Sequence, residues 1–281
     1  MPAVPFDLES VLRRDRLVVV TALATVIVLS WVYLLAGAGM GMGTVEMTRL
    51  THSVGLGGPA PAGMPMPGMN DPTGASVWTG QYAAIVFFMW WIMMLGMMLP
   101  SATPILLLFA RMMRKEREKG APYVSTGVFA LGYVVMWAAF SVVATAAQWG
   151  LQLTGLVSKM MVGTSTVFGA ALLIAAGFWQ LTPLKQACLK HCRSPVGFLS
   201  SHWRSGRAGA LTMGLAHGVY CLGCCWFLMA LLFYGGVMSL YWIIGLALYV
   251  LLEKLLPAKA RISALTGVAL IAWGTLLLVY A

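Results

Sequence analysis

Long apolar runs, set apart by short charged loops, are what most constrain this chain. They recur at residues 17–38, 81–110, 123–149, 161–181, 208–235, 238–252 and 262–280. A helix of ~20 apolar residues crosses the ~30 Å hydrocarbon core of a bilayer. With 60% of residues hydrophobic and only 9% charged, the composition is far from that of a soluble domain, about a quarter of which is charged. The expected fold class is all-α: a polytopic helical membrane protein with about seven transmembrane helices.

The charges give an orientation. Loops that alternate across seven spans place 16 of the 18 Lys and Arg on one side and leave only Arg49 and Lys159 on the other. Basic residues in short loops stay cytoplasmic, so the N-terminus is expected in the cytoplasm and the C-terminus outside. The net charge of +10 therefore reads as an orientation signal, and no nucleic-acid partner is indicated. The first run exceeds the ~7–15 residues of a signal-peptide core and is read as an uncleaved signal anchor. Residues 39–80 form the longest loop, with Met40, Met42, Met47, Met64, Met66 and Met69 among Gly and Pro. That Gly and Pro density predicts no regular element. The whole chain is expected to be one membrane domain. Residues 1–80 supply the anchor and an outside Met-rich loop, and residues 81–281 a six-helix core.

The chemistry concentrates at residues 217–226, His-Gly-Val-Tyr-Cys-Leu-Gly-Cys-Cys-Trp. At roughly 100° per residue, His217, Cys221 and Cys224 share one helical face. Met213 joins that stripe and Cys225 borders it. Thiols, an imidazole and a thioether together are a soft-metal ligand set. A Cys or Met alone would read as apolar packing, but three Cys beside a His inside an apolar span go beyond packing. In the second span Met89, Met93 and Met97 repeat every fourth residue, and Pro100 predicts a kink. Met97 and Cys221 each lie about fourteen residues from the cytoplasmic end of their spans, roughly 20 Å deep. The Met and Cys/His stripes thus share one layer and form one site if the two helices touch. Gly214, Gly218 and Gly223 permit close helix approach. A separate candidate pair, Cys188 and Cys192 with His191 between them, falls in the basic segment 184–208 on the cytoplasmic side, where thiols stay reduced. His202 has no ligand-like neighbour in the sequence and reads as ordinary loop.

Three blocks resemble a bacterial family described as predicted metal-binding integral membrane proteins, some of them labelled copper chaperones. They are Trp-Ile-Met-Met-Leu-Gly-Met-Met-Leu-Pro (residues 91–100), Cys-Leu-Lys-His-Cys-Arg-Ser-Pro (188–195), and Gly-Leu-Ala-His-Gly-Val-Tyr-Cys-Leu-Gly-Cys-Cys-Trp (214–226) with the later Glu253-Lys254. Coverage runs from about residue 80 to the C-terminus, and Gly96 stands where the family is expected to carry Ala. The resemblance implies a metal-handling role in a bacterial cytoplasmic (inner) membrane and supplies no mechanism.

The expected function is handling of a soft metal ion, foremost Cu(I), as a chaperone or permease, with zinc the second candidate. Expected partners are the lipid bilayer, a soluble metal donor or acceptor, and a membrane partner subunit. No G-x-x-x-x-G-K-[ST] motif occurs, so nothing indicates ATP-driven transport. Two other classes compete. One is a membrane thiol–disulfide oxidoreductase using Cys221 and Cys224. The other is a metal-bearing subunit of a membrane oxidase.

Overall fold

A computed structural model of the chain describes residues 8–41, 43–54, 78–118, 124–158, 161–256 and 261–280. Among these residues the structure is all-helical, with eleven helices: α1 (Leu8–Leu35), α2 (Thr44–Val54), α3 (Gly80–Glu118), α4 (Thr126–Leu153), α5 (Thr166–Leu181), α6 (Pro183–Arg193), α7 (Pro195–His202), α8 (Gly206–Ala230), α9 (Leu232–Gly235), α10 (Leu240–Leu255) and α11 (Ile262–Val279).

Five segments are long and apolar enough to cross a membrane: Arg16–Leu35, Gly80–Glu118, Thr126–Leu153, Gly206–Gly235 and Ile262–Val279. The α5–α6 pair passes only if taken together, across a 66° bend. Helix α10 has 16 residues, about 24 Å at 1.5 Å per residue, and is short for a span. The sequence count of seven therefore includes two segments, 161–181 and 238–252, whose helices are each only 16 residues long. Many outward-facing side chains are large and apolar, among them Val142, Val143, Leu248, Leu265 and Leu276. Surface of that kind suits lipid better than water.

Helix α3 is the hub. It packs on α1, α4, α10 and α7, and 56% of its most apolar window is buried against 11% for α1. It runs as one element of 39 residues with Pro100 and Pro104 inside. Ser101 and Thr103 return hydroxyl bonds to the Met98 and Leu99 carbonyls at 2.8 and 3.0 Å. Helix α1 rests on α3 at Gly96, where an added Cβ would stand 3.2 Å from the Ser30 Cβ. That near contact gives a physical reason for Gly where the family resemblance leads one to expect Ala.

Helix α8 lies along α4 at backbone contact. A Cβ on Gly214 would stand 2.0 Å from the Phe129 carbonyl oxygen, and one on Gly132 would stand 2.4 Å from that of Leu211. Only glycine lets two backbones approach this closely. The other tight pair is α5 with α11.

Two expectations are corrected. Residues 44–54, read as part of an irregular loop, form α2, because this stretch holds no Gly or Pro. Met47 is buried on it. Met42, Met64, Met66 and Met69 lie outside the described residues. The basic segment 184–208 is likewise no loop. Thr182 caps α6 by accepting from the Lys185 amide, Ser194 caps α7 by accepting from that of Gly197, and Pro183 and Pro195 occupy the first turns. Pro favours such starts because its missing N–H is not needed there. Thr182 itself is extended (φ −69°, ψ 144°), as a residue before Pro prefers. This bend turns α6 back onto α8.

Candidate functional site

The α6–α8 contact brings the cysteines together. His191 stacks on Tyr220 with ring centroids 4.1 Å apart. One residue further along each helix, the Cys192 thiol lies within interaction range of Cys221 and Cys224. A turn earlier on α6, Cys188 lies where a Cβ on Gly223 would stand 2.8 Å from its sulfur. Gly223 therefore makes room for a thiol. Gly214 and Gly218 instead seat α8 against α4, the latter with a would-be Cβ 2.6 Å from the Met136 Cβ. Cys225 borders the cluster, its thiol donating to the Cys221 carbonyl at 3.1 Å. All five cysteines are free; Cys221, Cys224 and Cys225 are buried, and Cys188 and Cys192 half-buried.

The sequence separates these residues into a membrane-centre set and a cytoplasmic pair. The structure instead joins Cys192 to Cys221 and Cys224. A straight reading of the chain places residues 184–208 beyond the membrane surface, whereas the bend at Thr182-Pro183 returns them to the side of α8.

Sequence reasoning passed over the group that faces the thiols from the other side. Lys254, on α10, donates to the Cys221 sulfur at 2.9 Å and to the Ser101 hydroxyl of α3 at 2.9 Å. Tyr133 of α4 places its hydroxyl 3.2 Å from the same sulfur and 3.3 Å from the Met98 carbonyl oxygen. Lys254 counted in the sequence only as an orientation charge. Its signal was its place one residue before the end of an apolar helix, beside Glu253 in the third family block.

Helices α3 and α8 are not principal packing neighbours. Tyr133 and Lys254 bridge them between Met98 and Ser101 of α3 and Cys221 of α8. Met93 and Met97 are fully buried on α3 and Met213 on α8, all in one apolar core with the thiols.

His217 is buried between aromatic rings, 5.8 Å from Tyr133 and 5.2 Å from Phe198. Its Nδ1 has no hydrogen-bond partner. An unsatisfied buried polar atom is costly and calls for a reason. The thiols for their part turn back on their own helix: Cys224 and Cys225 each donate to the Cys221 carbonyl, at 3.0 and 3.1 Å. Among the described residues, no three His, Cys, Asp or Glu side chains stand as a preformed metal polyhedron. The arrangement is a reduced thiol cluster held by weak S–H bonds, with a cation on one side and an unpaired imidazole nitrogen nearby. Rotation about the Cβ bonds would release the sulfurs.

The model of the PpoB2 copper chaperone family matches residues 87–277. The chain belongs to that family. The match takes in α4 to α11 and nearly all of α3, hence every cysteine and the Lys254 bridge, and leaves out α1, α2 and the Met-rich stretch. No curated protein and no solved structure matches the chain. A copper-related role follows from the family.

Behind the thiols lies a second polar centre. Lys185 of α6 and Glu253 of α10 form an ion pair at 2.5 Å with both side chains wholly buried. The same Glu253 oxygen accepts from Tyr249 at 3.0 Å and from Ser263 at 2.6 Å, and Tyr249 accepts in turn from Gln180 at 2.9 Å. Arg193 bonds the Glu253 carbonyl at 2.9 Å. This network ties the helix that carries Cys188 and Cys192 to the helix that carries Lys254.

Proposed function

We propose that this protein is a membrane-embedded chaperone that holds Cu(I) in the sulfur cluster of α6 and α8 and passes it to a soluble acceptor. The single observation that carries this reading is the meeting of Cys192 with Cys221 and Cys224 beneath Lys254. Thiolates select Cu(I) over hard cations. Two thiolates and one Cu(I) leave a net charge of −1, which is expensive inside a membrane unless it is paired. The Lys254 ammonium offsets it. Charge balance thus accounts for a lysine otherwise out of place in an apolar core. His217 and, through the α3–α8 bridge, Met93 and Met97 supply further neutral donors, and Cys188, His191 and Cys225 complete the candidate set.

In this reading the chain sits in the bacterial inner membrane with its N-terminus in the cytoplasm, as the loop charges favour. Zinc is disfavoured because a thioether layer suits a softer ion. Nothing in the site supplies energy for uphill transport, so holding and hand-over describe it better than pumping does.

The test is bound copper per folded protein, by competition with a Cu(I) chelator, for wild type, Cys221→Ala, Cys224→Ala, the double variant and Met97→Leu. Loss should rank double Cys first, single Cys next, and Met97 last, since a neutral thioether is the weaker donor. Full copper occupancy in a well-folded double Cys variant would sink the proposal.

A further inference from the structure

The elbow between α6 and α7 carries a second group of metal-ligating side chains, which shares His191 with the candidate set above and adds His202, a residue the sulfur site does not use. His191 lies in the last turn of α6, His202 ends α7, and Tyr220 faces both from α8. The two imidazole rings stand with centroids 5.6 Å apart and planes at 88°. For a metal about 2.0–2.1 Å from each ring nitrogen, two imidazoles on one ion put their ring centres at about this separation. The Tyr220 hydroxyl is 3.5 Å from the His202 Nε2. Phe198 stacks on His202 at 4.7 Å and 12°, and also meets His191 and His217 edge-on. Stacking fixes the rings, while His191, His202 and Tyr220 all remain half-buried.

Position relative to the thiols is the decisive feature. His191 precedes Cys192 and Tyr220 precedes Cys221 in the chain, and each preceding pair is in contact just as each following pair is. Accessibility falls along that line, from half-buried His202, His191 and Cys192 to buried Cys221 and Cys224. The soft-ligand character rises the same way, from imidazole to thiol.

We propose that His202 and His191 form a two-imidazole exchange port for Cu(I), through which the ion reaches and leaves the sulfur cluster. The port rests on the copper-holding reading above and adds the place where an acceptor collects the ion. Each inward step exchanges a Cu–N bond for a Cu–S bond at constant oxidation state. The thiol proton is left on the released imidazole. Hand-over reverses both. An intermediate ligand pair lowers the barrier to exchange without deepening the resting site, so its removal alters rates more than equilibria.

The experiment uses full-length protein in detergent loaded with Cu(I), with stopped-flow transfer to the chelator bicinchoninate. The variants are His202→Phe, which keeps the stack on Phe198, His202→Gln, His191→Phe, which keeps the stack on Tyr220, and the His191→Phe/His202→Phe double. Ser200→Ala, an exposed change on α7, is the control. Transfer from both His202 variants should slow about tenfold or more, while the equilibrium competition curve moves by less than about twofold. The double should be little slower than the slower single, because both remove one port. Wild-type transfer rates in the folded double would overturn the port and leave the copper-holding reading intact. A parallel loss of affinity and rate in His202→Gln would also overturn it, by making His202 a ligand of the resting site. A chain that binds no copper at all would overturn both.

Discussion

Glu253→Gln keeps the shape of a buried side chain and removes its charge. In the native protein its Oε1 meets the Lys185 ammonium at 2.5 Å with no exposure on either side, and two hydroxyls donate to the same oxygen. The substitution leaves the ammonium facing a neutral amide inside an apolar core. Removing one member of a buried pair costs about 3–5 kcal/mol, because the survivor is a buried charge without compensation. Lys185→Met should fall near the lower end of that range, since Tyr249 and Ser263 still bond the carboxylate. Lys185→Met/Glu253→Gln removes both charges and leaves an amide oxygen for the two hydroxyls, so the remaining cost is about 1–3 kcal/mol for the unsatisfied buried amide N–H. The double should therefore be more stable than the sum of the singles by at least ~2 kcal/mol, a coupling typical of residues in one network. Reversible unfolding in mixed detergent micelles measures all four corners of the cycle. Additive singles of under ~1 kcal/mol each would refute the reasoning and make the pair incidental. Because the pair joins α6 to α10, copper affinity should fall along with stability in the single variants.

Lys254→Met should lower Cu(I) affinity about tenfold or more, as loss of a supporting group around a metal does, with Ser101→Ala having a smaller effect; chelator competition reads both. Gly223→Ala should push the Cys188 sulfur aside, from 2.8 Å, and weaken copper retention more than it lowers the unfolding midpoint. Gly214→Ala should do the opposite, costing about 1–3 kcal/mol of stability as overpacking does, since its methyl would meet the Phe129 carbonyl. A reporter fused after Ala281 should read as outside and one within residues 111–118 as cytoplasmic; a cytoplasmic C-terminus would show that α10 or the α5–α6 pair does not cross.

Much of α8 was legible because one helix carries it. His217, Cys221, Cys224 and Cys225 lie within nine residues, so helical periodicity alone puts them on neighbouring faces. Tyr133 reaches both the Met98 carbonyl and the Cys221 sulfur, a bridge that periodicity on either helix alone could not reveal. Cys192 could not be joined to the α8 thiols by counting. Its place depends on a 66° bend whose local mark, the Thr182-Pro183 that ends one helix and starts the next, was passed over just before a segment read by its charge. Helix α2 was lost for a related reason: a Gly- and Pro-rich average over 39–80 hides a stretch that contains neither. Lys254 and Lys185 were hidden by treating every basic residue as a loop charge. A lysine in the last turn of an apolar helix can face inward, and for Lys254 the only local mark was its neighbour Glu253. His202 was set aside because its partner, His191, is eleven residues away on another helix.

The central claim is that α6 and α8 together build one sulfur site. Copper per folded chain tests it most directly, measured for wild type and for the cross-helix variant Cys192→Ala/Cys221→Ala at saturating Cu(I) and after chelator wash. A single shared cluster predicts about one retained Cu(I) per chain in wild type and almost none in the variant, since each helix has lost a thiol the other needs. About two ions in wild type, with one retained when either helix alone is stripped of its thiols, would contradict it.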